Sequence, residues 1–184
     1  LKELAEKMDI IGHRGGFLCY ENSINCFKKA IEQNVPAIEF DVWLTNDKVP
    51  VILHGSEEGT IDRDLPELGI TKDMFIRDLS LKQIKEFVLP NGEKIPTLEE
   101  VLSICRDKIL LNVEIKEGNP EVCQIVIDLL LEYGYSSENV VFSSFQHGIL
   151  KKIKSIEPKY KCGYLYEYYD EMDPDYYSVN GDSC

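Results

Sequence analysis

Apolar and polar positions along the chain follow two periods, one typical of β-strands and one typical of α-helices. Short apolar runs predict strands, and the stretches between them carry apolar side chains at every third or fourth position, as on one face of a helix. The predicted strands cover residues 9–13, 36–44, 50–54, 109–116, 139–144, 160–166 and 176–180. The predicted helices begin at Ser23, Ser80, Thr97, Asn119 and Gln146.

Strands that alternate with helices predict an α/β fold with parallel βαβ units, in one domain over residues 1–184. Six or seven strands in sequence suggest a (β/α)8 TIM barrel, which typically needs about 250 residues. This chain has 184 residues, so we expect a barrel truncated before its last strand. An open doubly wound sheet fits the length better and is the alternative. The polar stretch at 55–78 is too long for an ordinary connection, and long loops are often functional.

The acidic charge of the chain restricts its partners. Lysine and arginine number 20 and acidic residues 33, so the net charge is −13, and we expect no nucleic-acid partner because such a surface repels phosphates. No apolar run reaches the roughly 18–20 residues of a transmembrane segment. Six cysteines without a C-x-x-C pair predict free, mostly buried thiols in a reducing compartment. We therefore expect a cytoplasmic protein, and its oligomeric state is left open.

Two predicted strands place acidic side chains on a face that points inward. In the strand at 36–44, Glu39 and Asp41 share one face, and their neighbours on the other face are apolar because successive side chains alternate. In the strand at 109–116, Glu114 shares its face with Lys116. Both strands are thus predicted to point carboxylates to the same side.

Three inward carboxylates are costly to bury unless a cation lies between them. Carboxylate oxygens are hard ligands that suit Mg²⁺ or Ca²⁺, and there is no cluster of cysteine and histidine of the zinc type. The sequence therefore favours a divalent metal site. The alternative is a plain ion-pair network in which the acids pair with Lys116 or Arg14.

Histidine is scarce, and two of the three histidines follow predicted strands. His13 and His54 each lie at the carboxyl end of a strand, where barrel enzymes carry their catalytic groups. Beside a carboxylate cluster, they are predicted to form an acid–base pair. His147 begins a predicted helix and is interpreted as a structural or surface residue. Arg14 and Lys116 could offer cationic donors to a phosphate.

Seven segments, in this order along the chain, resemble the glycerophosphodiester phosphodiesterase family. They are Ile11–Gly15, Glu21–Ser23, Glu39–Val42 with Thr45 and Asp47, Val49–His54, Ile95–Leu102, Asn112–Lys116 and Val141–Phe145. Each motif is weak alone, but the ordered set over about 135 residues is specific. The resemblance favours the (β/α)8 TIM barrel, of the phospholipase-C-like phosphodiesterase type.

The resemblance implies that the protein is an enzyme with a small-molecule substrate. Its reaction would be the metal-dependent hydrolysis of glycerophosphodiesters to glycerol 3-phosphate and an alcohol, with Mg²⁺ or Ca²⁺ at the barrel mouth. Residues 55–78 would be an insertion after the third strand that shapes the substrate entrance. By this resemblance, His13 and His54 would be catalytic, Glu39, Asp41 and Glu114 would hold the metal, Arg14 and Lys116 would bind the phosphate, and Glu21 would order the mouth and touch the metal site or the substrate.

Two departures from the family pattern bear on activity. Many members have aspartate where this chain has Gly55, which removes an orienting or ligand carboxylate and predicts altered tuning of His54. The final strand, which usually brings an aromatic residue to the pocket, has no counterpart, so we expect a partial sequence. Two alternatives remain open: a lysophospholipase D-like or phosphatidylinositol-type activity on lipids, with Tyr164, Tyr166, Tyr168 and Tyr169 lining a groove, and a catalytically dead binding module.

Overall fold

The computed structural model of the protein describes residues 10–17, 19–65 and 74–166. Its strands are β1 Ile11–Gly12, β2 Ala37–Leu44, β3 Pro50–Ile52, β4 Leu110–Ile115, β5 Val140–Ser144 and β6 Lys161–Tyr164. Its helices are α1 Ile24–Glu32, α2 Leu81–Ile84, α3 Leu98–Cys105, α4 Glu121–Glu132 and α5 His147–Ile156, with short 3₁₀ segments at His13–Gly15 and Ile76–Asp78. The predicted strand at 176–180 lies outside the described residues.

The parallel strands follow one another in the sheet as they do in the chain. Within the described ranges their order is β1-β2-β4-β5-β6, and every neighbouring pair is parallel. A doubly wound sheet instead reverses its order at a switch point. The unbroken order therefore argues against the open-sheet alternative and agrees with consecutive strands of a (β/α)8 barrel.

The prediction of a third parallel strand at 50–54 is wrong in its direction and its length. β3 is shorter than predicted and pairs antiparallel with β2, with Ile52 opposite Val42. The reason is the short connection: residues 45–49 form a turn in which the Thr45 amide donates to the Val49 carbonyl at 3.1 Å. A parallel crossover needs a dozen or more residues, so the chain can only fold back as a hairpin.

The core lies on the outer face of the sheet, against the helices. Ile38, Phe40 and Val42 of β2 belong to one buried cluster with apolar side chains of α1, α3, α4 and α5, and the rings of Phe27 and Phe40 meet edge to face at 5.8 Å. Burying each such side chain stabilises the fold by roughly 1.5–3 kcal/mol. All eight residues of β2 are buried, so its inner face is also withdrawn from solvent.

A second buried cluster fixes part of the segment that was predicted as a polar loop. Ile61, Leu65 and Ile76, all within 55–78, pack with Trp43 and Leu53. This packing holds the chain after His54 against the inner face of β2. The described part of the segment is therefore anchored by apolar side chains at its base.

The described residues bear in part on the predicted location. Cys19, Cys26, Cys105, Cys123 and Cys162 are free thiols. Across the ranges given above, no helix combines the length and the apolar character that crossing a bilayer demands. The cytoplasmic location stays a prediction.

Candidate active site

Three carboxylates meet on the inner face of the sheet. β2 and β4 are neighbours, and their register sets Asp41 beside Glu114. Because side chains alternate along a strand, Glu39 points to the same face as Asp41. One oxygen from each of the three residues lies within 4.8 Å of the other two, and all three are buried. The structure thus brings together the acids that the sequence predicts as metal ligands.

These carboxylates are incompletely satisfied by the protein. Glu39 Oε1, Asp41 Oδ1 and Glu114 Oε1 are buried and have no hydrogen-bond partner. Burial raises the pKa of Glu39 to about 8, and the Asp41 carboxylate adds to the rise. Burial, and then Asp41, also raises the pKa of Glu114. Unpaired buried acid oxygens are unfavourable, whereas a divalent cation would satisfy all three, so this donor set fits a hard metal ion.

Two cationic side chains approach the acids, as the ion-pair alternative required. Lys116 Nζ lies 3.4 Å from Glu114 Oε1 and 3.8 Å from Asp41 Oδ1, and Arg14 Nε lies 3.4 Å from Asp41 Oδ2. These distances exceed the about 2.7–2.9 Å of a charge-assisted hydrogen bond. When all three carboxylates are ionised, two cations leave one negative charge without a counterion. The ion pairs therefore remain compatible with a bound metal ion.

His13 lies at the rim, immediately after β1. Its Nε2 is 3.8 Å from Glu39 Oε2, and its side chain is 70% exposed. Burial of part of the ring, and then the Arg14 charge, lower the pKa of His13. The next residue, Arg14, adopts a left-handed conformation with φ of 52°, and its amide N–H donates to Glu39 Oε2 at 2.8 Å.

His54 reaches the site by a route that the sequence did not predict. It lies beyond the end of β3, which runs back along β2, so that the amide of Leu53 donates to the Asp41 carbonyl at 3.2 Å. His54 Nδ1 is 2.7 Å from the Gly55 carbonyl oxygen. That oxygen can only accept, so Nδ1 carries the hydrogen and Nε2, 3.3 Å from Lys116 Nζ, holds the lone pair. Burial lowers the pKa of His54, in part opposed by Asp41.

Glu21 lies in the loop between β1 and α1, and two arginines bind its carboxylate oxygens. Arg14 Nη1 donates to Glu21 Oε2 at 2.9 Å, and Arg63 Nη1 donates to Oε1 at 2.8 Å. Burial alone would raise the pKa of Glu21, but the hydrogen bonds from Arg63 and Arg14 lower it. Glu21 therefore orders Arg14 rather than joining the three-carboxylate cluster.

Sequence reasoning did not single out two further residues at the site. Asn22 Nδ2 donates to Asp41 Oδ2 at 2.8 Å; its place in the motif Glu21–Ser23, just before α1, is a signal that could have found it. Asp64 is buried and accepts the amide of Gly55 at 2.7 Å, but an aspartate in an acidic loop gives no such signal.

The sequence indicates a structural or surface role for His147. The His147 ring packs on Tyr164 at 4.8 Å and on Tyr166 at 5.0 Å, which agrees with a structural role. Tyr168 and Tyr169 lie outside the described residues. A cleft of about 610 Å³ is lined by residues that include Trp43, Phe75, Arg77, Glu117 and Gln146.

The fold and the site define a protein of the (β/α) barrel class, with its polar residues on the inner face of the sheet and in the loops after β1 and β3. The model of the glycerophosphoryl diester phosphodiesterase family matches residues 12–183, and the chain belongs to this family. The resemblance drawn from the motifs is thereby confirmed.

Individual relatives agree with this assignment. A glycerophosphodiester phosphodiesterase from Caldanaerobacter subterraneus subsp. tengcongensis is 37% identical over 168 residues, covering 86% of this chain and 66% of that protein. A crystal structure of a glycerophosphodiester phosphodiesterase from Thermotoga maritima is 32% identical with a TM-score of 0.67, covering 90% of this chain and 66% of that one. An Oleispira antarctica phosphodiesterase, solved with its product sn-glycerol-3-phosphate, is 23% identical with a TM-score of 0.78, covering 91% and 70%. The chain thus spans about two thirds of the length of these relatives.

The raised pKa of Glu39 makes the metal-free protein sensitive to pH. Glu39 has a pKa of about 8 when folded against 4.5 for the free group, so its favourable contribution is complete below 4.5 and is lost as the pH rises through 8. In EDTA, we expect wild type to lose stability relative to Glu39→Gln over this range, by at most roughly 1.4 kcal/mol per pH unit. Urea denaturation of both proteins at pH 5, 6.5 and 8 measures the difference; parallel pH curves would contradict the prediction.

Proposed function

We propose that the protein hydrolyses glycerophosphodiesters to glycerol 3-phosphate and an alcohol. The observation that carries this proposal is the cluster of three buried carboxylates with unpaired oxygens, flanked by two imidazoles and two cationic side chains. The name of the 37% identical relative and the product in the Oleispira structure support the substrate class.

Glu39, Asp41 and Glu114 would hold a divalent metal ion, with Mg²⁺ and Ca²⁺ as the candidates. When bound, such an ion offsets negative charge on the phosphoryl oxygens. The fit rests on three buried oxygens that accept no hydrogen bond. Lys116 approaches two of them, but only to 3.4 and 3.8 Å. A bound cation would favour the ionised carboxylates, so it would lower the raised pKa values of Glu39 and Glu114, and any protons that they carry would be released to solvent.

Arg14 and Lys116 bind the phosphodiester in this proposal. Both lie at the acidic cluster, and both are largely buried, so their charges act in a medium that screens them weakly. Arg14 is held by Glu21, which fixes the guanidinium before substrate arrives. A preorganised donor needs no reorganisation when charge develops on the phosphate.

The two histidines divide the proton transfers. His54 holds its lone pair on Nε2, so it accepts a proton from the attacking hydroxyl, which belongs to water or to the glycerol 2-position. His13 donates a proton to the departing alkoxide. Its pKa is lowered in the free protein, but a bound anionic phosphodiester raises it by favouring the imidazolium. Substrate binding therefore prepares the acid.

Replacing either histidine tests this division. We expect His13→Ala and His54→Ala each to lower kcat on glycerophosphocholine by about 10²–10⁴, whereas His147→Ala serves as the matched control and retains activity. A p-nitrophenyl ester of glycerol 3-phosphate has a leaving group that needs no proton, so it should rescue His13→Ala but not His54→Ala. Near-normal turnover of glycerophosphocholine by either variant would refute its role.

Chelation tests the metal. After exhaustive dialysis against EDTA we expect hydrolysis to stop, and added Mg²⁺ or Ca²⁺ should restore it. Isothermal titration calorimetry of wild type and Glu114→Gln with each ion gives an independent reading of binding. Full activity without metal would remove the ion from the scheme, and metal binding without hydrolysis of any glycerophosphodiester would instead support a binding module.

Exposed aromatic residues at the mouth favour one second candidate, hydrolysis of lipid phosphodiesters. The Phe17 side chain is 93% exposed just after the His13–Gly15 turn, and Phe145 is 46% exposed with its ring 5.9 Å from Lys116 Nζ. An acyl chain could lie on such a surface.

The two candidates differ in which substrate is turned over. If the protein hydrolyses glycerophosphodiesters, we expect kcat/KM to be higher for glycerophosphocholine than for lysophosphatidylcholine. Phe17→Ser should then change the kcat/KM for glycerophosphocholine little. If the lipid is preferred and Phe17→Ser selectively reduces that preference, the second candidate holds.

A further inference from the structure

A second layer of contacts surrounds His54 and has no part in the proton transfers proposed above. The peptide unit that joins His54 to Gly55 is held at both edges. Its carbonyl oxygen accepts a hydrogen bond from Trp43 Nε1 at 3.0 Å, and its amide N–H donates to Asp64 Oδ2 at 2.7 Å. The next carbonyl, of Gly55, accepts from His54 Nδ1 at 2.7 Å. The direction of the imidazole therefore depends on a peptide that two side chains hold in place.

The two carboxylate oxygens of Asp64 have different partners, and one of them is the Gly55 amide. Asp64 is only 2% exposed, and its Oδ1 accepts a hydrogen bond from Arg63 Nη1 at 3.3 Å. The backbone carbonyl of Asp64 accepts from the Tyr20 hydroxyl at 2.7 Å, which fixes the position of the residue. A buried carboxylate is unfavourable unless it is bonded, so both of its partners are needed to keep it there.

The conformation of Gly55 explains why the carboxylate comes from a distance. Gly55 has φ of +67°, and a Cβ there would lie 3.1 Å from Trp43 Nε1 and 3.2 Å from Ile76 Cδ1. A side chain at 55 would strain the backbone and press on the indole that holds His54. The expectation that Gly55 leaves His54 without an orienting carboxylate is therefore revised: Asp64, nine residues on, supplies one through the backbone.

We propose that Asp64 and Trp43 are positioning residues, which hold the His54–Gly55 peptide from both edges and thereby keep His54 Nδ1–H on the Gly55 carbonyl and Nε2 facing Lys116. The proposal rests on the proposed function for its effect on catalysis, but the orientation of the ring is a property of the free protein. Neither side chain meets substrate in this scheme.

Kinetics of three variants test the catalytic consequence. Asp64→Ala and Trp43→Phe each remove one edge contact, and we expect kcat on glycerophosphocholine to fall about tenfold to a hundredfold while KM changes less than about threefold. Asp64→Asn keeps an oxygen that can accept the Gly55 amide, so it should retain kcat within about threefold of wild type. Asp62→Asn, a matched change in the same loop without contact to this peptide, should leave both constants unchanged.

The tautomer of His54 gives a reading that does not depend on activity. In ¹⁵N-histidine-labelled protein at pH 8, wild type, Asp64→Asn and Asp62→Asn should show the Nδ1–H form, and Asp64→Ala and Trp43→Phe should show a mixture with Nε2–H. The His54→Ala spectrum assigns the signal. If Asp64→Ala does not fold, Trp43→Phe carries the test alone.

Each outcome decides between the two proposals. Suppose that wild type is active and that Asp64→Ala and Trp43→Phe keep its kcat and its His54 tautomer. That result would overturn the positioning role and leave the proposed function intact. An equal loss in Asp62→Asn would also overturn it, because the effect would belong to the loop. A wild type that hydrolyses no glycerophosphodiester but shows the tautomer shift would overturn the function and support the positioning role.

Discussion

The interior of this protein is organised by repulsion between three buried carboxylates. Their ligand oxygens lie within 4.8 Å of one another, and at that limit two unit charges repel by roughly 3.5 kcal/mol for an effective dielectric constant of about 20. One lysine and one arginine at 3.4 Å or more offset part of this repulsion. Burial first, and then the Asp41 charge, raise the pKa of Glu39. The parallel register of β2 and β4 imposes this crowding. Arg14 and Lys116 therefore flank a cluster whose negative charge they offset only in part.

Much of the fold and the acidic cluster could be predicted because both follow from local periodicity. Alternation along the strand places Glu39 and Asp41 on one face whatever the rest of the chain does, and parallel neighbours then bring Glu114 to them. Capping boxes at Ser80 and Thr97 likewise mark helix starts that the structure retains. The family resemblance chose the barrel over the open sheet, which periodicity alone could not do.

The features that escaped prediction depend on contacts between segments far apart in sequence. The antiparallel direction of β3 could have been inferred from its five-residue connection, but the strand pattern alone carries no direction. The place of Asp64 depends on how Ile61 and Leu65 pack in one cluster with Trp43 and Ile76, which no local pattern encodes. Glu21 was assigned to the mouth by resemblance. Its partner Arg14 comes from the same loop, but Arg63 comes from a loop 42 residues further on and becomes a neighbour only in the folded chain.

The chain of charges Arg14–Glu21–Arg63–Asp64 joins the two loops that carry His13 and His54. The links between Arg14 and Glu21 and between Glu21 and Arg63 are both shorter than 3 Å. The loop after β3 therefore cannot be exchanged without affecting the loop after β1. Grafting a homologous loop that lacks an arginine at this place would leave one oxygen of Glu21 unopposed, so a successful chimera would have to exchange the two loops as a matched pair.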